Sequence, residues 1–137
     1  MAFKTDLQSL RFAGEALIDL STRSSTSSLT FHLAKNVTIT HIALQTAELK
    51  STSTQSLPLD SLSFDEDKER ITVDLKQIPG EGLKAGSEAK LWVRFESELT
   101  GSMAGYYRSE GETGEDGKKP VYALTQFEAT AARKAFP

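Results

Sequence analysis

Leu10-Arg11-Phe12-Ala13-Gly14-Glu15-Ala16-Leu17-Ile18-Asp19-Leu20 decides the fold. Its even positions, Leu10, Phe12, Gly14, Ala16, Ile18 and Leu20, are apolar or small, whereas Arg11, Glu15 and Asp19 fall on the odd ones. A period of two puts the two sets on opposite faces of an extended chain, so the stretch predicts a long strand with one buried face.

The same alternation recurs outward from it. Leu91, Val93, Phe95 and Leu99 oppose Lys90, Arg94, Glu96 and Glu98, with Trp92 on the polar face, where a Trp marks a covered edge or a contact surface. Ile71, Val73 and Leu75 alternate with Arg70, Thr72, Asp74 and Lys76, and Leu29-Thr30-Phe31-His32-Leu33 alternates too. Val37 and Ile39 share one parity but Ile42 and Leu44 the other, which predicts a bulge near Thr40-His41. Between these runs, Ser21 to Ser28 is small and polar and suits a hairpin connection, Lys50 to Leu57 reads as a loop, and Pro79-Gly80-Glu81-Gly82 as a turn. About eight short strands with almost no helix predict an all-β fold, an antiparallel β-sandwich. Its expected core is Phe12, Ile18, Leu29, Phe31, Leu33, Ile71, Val73, Leu75, Leu91, Val93 and Phe95.

Composition bounds what such a sandwich does. With 137 residues and 38% hydrophobic content, residues 1–137 make a single domain with one core. The formal charge is −3 and the basic residues are scattered, leaving no footprint for nucleic acid or an anionic membrane. No run approaches the roughly 18 apolar residues of a membrane span. Zero cysteines exclude disulfides and thiolate metal sites and favour a soluble, cytoplasmic chain.

The candidate site lies at the end, in Tyr122-Ala123-Leu124-Thr125-Gln126-Phe127-Glu128-Ala129-Thr130-Ala131-Ala132-Arg133-Lys134-Ala135-Phe136-Pro137. The first half alternates, placing Leu124, Gln126 and Glu128 on one face. Two residues along a strand span about 7 Å, so the Gln126 amide and Glu128 carboxylate can converge on a small cation such as an ammonium group. On the residues alone they also read as an ordinary strand-end polar pair. From Ala129 to Ala135 the alanine content, with Arg133 and Lys134 near the end, predicts a short helix whose C-terminal dipole favours those cations.

Other chemistry is missing. His32 and His41 begin no H-E-x-x-H, and no nucleotide-binding or nucleophile-elbow glycine pattern occurs. The Glu110, Glu115 and Asp116 loop lacks the alternating oxygen ligands of a calcium loop and reads as solvated.

Gly105-Tyr106-Tyr107-Arg108-Ser109, then Thr125 to Thr130, then Ala132-Arg133-Lys134-Ala135-Phe136-Pro137 resembles the G-x-Y-R/K-S … T-Q-F-E-x-T-x-A-R-x-A-F-P signature of the zinc aminopeptidases. These are the enzymes related to aminopeptidase N and to puromycin-sensitive aminopeptidase. The Leu10–Leu20 and Leu29–Leu33 runs resemble segments of the same N-terminal domain, so the resemblance covers nearly the whole chain. It implies a saddle-shaped sandwich that docks on a thermolysin-like catalytic domain, with Gln126 lining the first substrate subsite and Glu128 helping to hold the peptide's free amino terminus. Zinc, in that family, belongs to the catalytic domain. The family's H-E-x-x-H follows beyond the A-F-P segment, so the chain carries no cofactor and is not expected to hydrolyse peptides alone.

The family's P-x-H-Y-D-L opening is also absent, which predicts an unpaired edge at Leu10–Leu20 and hence self-association. The expected partners are a peptide N-terminus, the parent's catalytic domain and a second copy. The alternative is a stand-alone binding module, lectin-like or protein-interacting, built on Trp92, Tyr106 and Tyr107.

Overall fold

A computed structural model describes residues 1–46, 54–78 and 81–137. The strands are β1 (Ala2–Asp6), β2 (Arg11–Ser21), β3 (Ser28–His32), β4 (Val37–Thr46), β5 (Gln55–Ser56), β6 (Leu62–Asp65), β7 (Arg70–Asp74), β8 (Glu88–Glu98), β9 (Gly105–Glu110) and β10 (Val121–Gln126). They form an antiparallel β-sandwich: a five-stranded sheet in the order β1-β2-β8-β4-β5, a three-stranded sheet β3-β7-β6, and the ribbon β9-β10. The expected loop from Lys50 to Leu57 and the Pro79–Gly80 turn fall partly or wholly outside the described residues.

Alternation dictates the layers. β2 and β8 pair over their full length, from Arg11 with Glu98 to Ser21 with Glu88. Phe12, Ala16, Leu91, Val93 and Phe95 therefore face inward together and meet Leu33, Ile71, Val73 and Leu75 in one buried cluster. Each of the Val, Leu, Ile and Phe side chains, fully buried, contributes about 1.5–3 kcal/mol. Ile18, Leu29 and Phe31 pack on this cluster at its half-buried margin. The register of β4 on β8 shifts between Ile39 and His41, and this bulge is what lets Val37, Ile39, Ile42 and Leu44 all point inward.

The outer face is a ladder of cross-strand ion pairs: Arg94 with Glu15 at 3.5 Å, Lys90 with Asp19 at 2.7 Å, and Arg11 with Glu98 at 3.2 Å. All are well exposed, so they keep this face polar and add little stability. Gly14 has a specific inward role. It pairs with Phe95 on one side and Phe3 on the other, and a Cβ there would lie 2.5 Å from Phe95 Cζ. The missing side chain is the space the Phe95 ring occupies.

Two expectations are corrected. The first half of the Leu10–Leu20 strand is not an edge, because β1 pairs with Arg11 to Glu15, from Ala2 with Glu15 to Asp6 with Arg11. β1 has one large apolar side chain in five residues, Phe3, so no periodicity announces it; backbone pairing and ring contacts hold it. Nor do β2 and β3 form a hairpin. The polar connection switches sheets, since Thr22 N–H donates to Ser87 O and Thr26 exchanges backbone bonds with Leu83. The short C-terminal helix is a single 3-10 turn, Ala131–Lys134, closed by Ala135 N–H to Ala132 O.

That turn docks on the start of β9 at Gly105, where φ is +78° and a Cβ would come within 2.6 Å of Lys134 Cβ. Gly105→Ala is expected to cost more than about 1 kcal/mol from the left-handed backbone alone, with a lower melting temperature; an unchanged one would contradict the close approach.

Asp6 closes the β1–β2 turn, accepting from Ser9 Oγ at 2.8 Å and Gln8 N at 2.8 Å, and Asp65 accepts from Lys68 Nζ at 2.8 Å. These bonds, the side-chain ones foremost, hold both carboxyls below the usual 3.8. A lowered folded value stabilises the fold above the unfolded value, and that stability is lost as pH falls through the folded one. Denaturant midpoints followed from about pH 5 to about pH 2 are expected to drop, and less steeply in Asp6→Asn. An identical slope in that variant would remove Asp6 from the account.

Candidate functional site

The ribbon presents the candidate residues. β9 and β10 pair from Gly105 with Gln126 to Glu110 with Val121, so the two faces of the ribbon are fixed residue by residue. Tyr106 and Ala123 turn inward onto the core, and Tyr106 meets the Phe12 ring at 5.0 Å and the Phe3 ring at 5.7 Å. Its hydroxyl shares a 2.7 Å hydrogen bond with Thr5 Oγ1, which ties the ribbon to β1. The opposite face carries Tyr107, Tyr122, Leu124 and Gln126. Tyr122 is 51% exposed and Leu124 43% exposed, so among the described residues this apolar face is left largely open.

Gln126 is the last residue of β10, and Glu128 lies in the turn beyond it. Strand spacing therefore does not set the distance between them. What lies between is Phe127, whose ring meets Phe136 edge-on at 5.5 Å, and Phe136 in turn meets Phe3 at 6.2 Å. The ring anchors the backbone while both flanking polar side chains face solvent. Among the described residues neither Gln126 nor Glu128 has a hydrogen-bond or ion-pair partner in its side chain. A carboxylate with all its acceptor sites open is suited to a cationic ligand with several donors.

The segment after Glu128 is bound from several directions. Ala131 N–H donates to Phe127 O, Ala34 N–H to Arg133 O, and Asn36 Nδ2 to Lys134 O. Asn36 Nδ2 also donates to Ser97 Oγ at 3.1 Å, so the central strand β8 is linked to the turn. Sequence reading missed Asn36 in this role, and its only sequence signal was a side chain apt for local bonding beside a strand.

The histidines have structural roles. His32 Nε2 accepts from Arg70 Nε at 3.3 Å, and desolvation together with the charges of Arg133 and Arg70 holds its pKa below the ordinary value. A neutral acceptor is what that bond requires. His41 lies edge-on to Trp92 at 5.3 Å, and the Arg94 guanidinium stacks on Trp92 at 4.4 Å. Trp92 is on the outer face of the large sheet and Tyr106 on the inner side, so the aromatic residues named for a stand-alone binding module do not converge. Among the described residues no group of three or more His, Cys, Asp or Glu side chains is placed to hold a metal ion, and no helix is long and apolar enough to cross a membrane.

A family model described as the peptidase M1 N-terminal domain matches residues 1–137. Aminopeptidase 2 of Candida albicans is 34% identical over 126 residues, covering 92% of this chain and 12% of that protein. Aminopeptidase N of Canis lupus familiaris is 34% identical over 127 residues, again 92% of this chain and 12% of the relative. Puromycin-sensitive aminopeptidase of Caenorhabditis elegans is 30% identical over 131 residues, 96% of this chain and 13% of the relative. The chain thus spans about an eighth of the length of these relatives.

Proposed function

The chain belongs to the family of peptidase M1 N-terminal domains, and on that premise we propose that it is the substrate-anchoring domain of a zinc aminopeptidase, in which Gln126 and Glu128 receive the free amino terminus of a peptide. Zinc belongs to the catalytic domain of such an enzyme, and the work of this domain is recognition. The observation that carries the reading is the open Glu128 carboxylate on an anchored turn, next to Gln126 at the end of an uncovered apolar face.

An α-ammonium has three donors, and a carboxylate acceptor neutralises its charge as well as orienting it. A hydrogen bond to a charged group contributes about 1.5–3 kcal/mol against about 0.5–1.5 for a neutral amide, so Glu128 dominates and Gln126 refines the fit. The outer ribbon face with Tyr107, Tyr122 and Leu124 is the surface offered to the catalytic domain, which leaves Gln126 and Glu128 at the rim of the joint cleft. Taken alone, the domain exposes that face and the β1 edge, and self-association follows through either. The cysteine-free composition suits a reducing compartment, and we assign the chain to the cytoplasm.

The test is kinetic, in the full-length enzyme carrying this domain. Glu128→Ala is expected to lower kcat/KM about tenfold more than Gln126→Ala for substrates with a free amino terminus. Unchanged kinetics in a correctly folded Glu128→Ala enzyme would end the amine-anchor reading.

A further inference from the structure

We propose that Glu69 is a positioning residue for amine recognition, acting through Arg133 on the turn that bears Glu128; the inference rests on the reading of Glu128 given above. Arg133 lies in the 3-10 turn and its side chain is only 18% exposed. Its guanidinium makes two connections in different directions. Nε donates to Thr130 O at 3.1 Å, two residues beyond Glu128, and the NH1 nitrogen pairs with Glu69 Oε2 at 3.5 Å. The bridge therefore runs from the three-stranded sheet, through one planar cation, to the backbone of the candidate site.

Glu69 is itself fixed. It sits between β6 and β7 with φ at +48°, a left-handed conformation that favours glycine or asparagine. Its N–H donates to Glu66 O and its carbonyl accepts from Leu33 N at 2.9 Å, so the backbone is held at both ends. At a position whose backbone suits glycine, what the glutamate adds is its carboxylate. That charge has a specific function, because Arg133 and Arg70 both act on His32, whose titration the two guanidiniums depress and Glu69 opposes. Without Glu69, a largely buried guanidinium is left without its carboxylate partner, and it recovers solvation by swinging toward solvent and releasing Thr130 O. The Glu128 turn then loses the bond that orients it, while the bonds from the Ala34 backbone and the Asn36 side-chain amide to the 3-10 turn remain.

A double-mutant cycle in the full-length enzyme tests this. Glu69→Gln keeps size and backbone, and is expected to raise KM for free-amine substrates about tenfold with kcat little changed, because a displaced anchor weakens binding of substrate and transition state alike. In a Glu128→Ala background the same change is expected to do nothing further, since the residue acts only through Glu128. Arg133→Lys, which keeps the charge but cannot span both partners, is expected to reproduce the effect if Glu69→Gln folds poorly. An unchanged KM in folded Glu69→Gln, with Glu128→Ala still impaired, overturns the inference and leaves the amine anchor standing. Equal effects of Glu69→Gln in both backgrounds also overturn it, because the role is then general stability. No effect of either Glu128→Ala or Glu69→Gln overturns both readings together.

Discussion

The rings of Phe3, Phe12, Phe95, Tyr106 and Phe136 meet where the large sheet, the ribbon and the C-terminal turn come together. Phe3 is the hub, with centroids 5.7–6.2 Å from the other four. Tilted and edge-to-face geometry prevails, the arrangement that adds about 0.5–1.5 kcal/mol per pair beyond burial. The cluster depends on Gly14, whose lack of a side chain lets the Phe95 ring approach the β2 backbone closely. It also decides what the domain exposes: with Tyr106 committed inward, strand alternation sends Tyr107, Leu124 and Gln126 outward.

The same cluster governs the site by continuity. Phe136 carries the packing into the C-terminal segment, and Phe127 docks on Phe136 between the two candidate residues. Backbone donors from Ala34 and Ala131 and the Asn36 amide complete the attachment, while Ala135 is fully buried beneath. An exposed carboxylate on a mobile loop recovers little binding energy after its ordering entropy is met, whereas one on a turn stapled to two sheets has that ordering already in place.

Much of this was legible in the sequence, and the boundary of legibility is physical. The alternation in Arg11–Ser21 and Glu88–Glu98 reported inward and outward faces because one face of each strand is buried, and the parity change at Thr40-His41 reported the bulge for the same reason. β1 was invisible because its stability comes from pairing and a single ring. The sheet switch after β2 was misread as a hairpin because the bonds that steer it come from residues 83–87, distant in sequence. Gln126 was placed on the correct face by alternation, but that argument stops where β10 stops, and Glu128 lies past it. The Glu69–Arg133 bridge spans 64 positions of sequence and leaves no local pattern.

The central claim is that the segment bearing Glu128 is part of the rigid sandwich and not a tail laid against it. Native-state hydrogen exchange on the 137-residue chain reads this directly through the amides of Ala34 and Ala131, which donate to Arg133 O and Phe127 O. The account predicts protection at both within about tenfold of the β8 amides. Exchange at both sites as fast as in the exposed Gly111–Pro120 loop would contradict it.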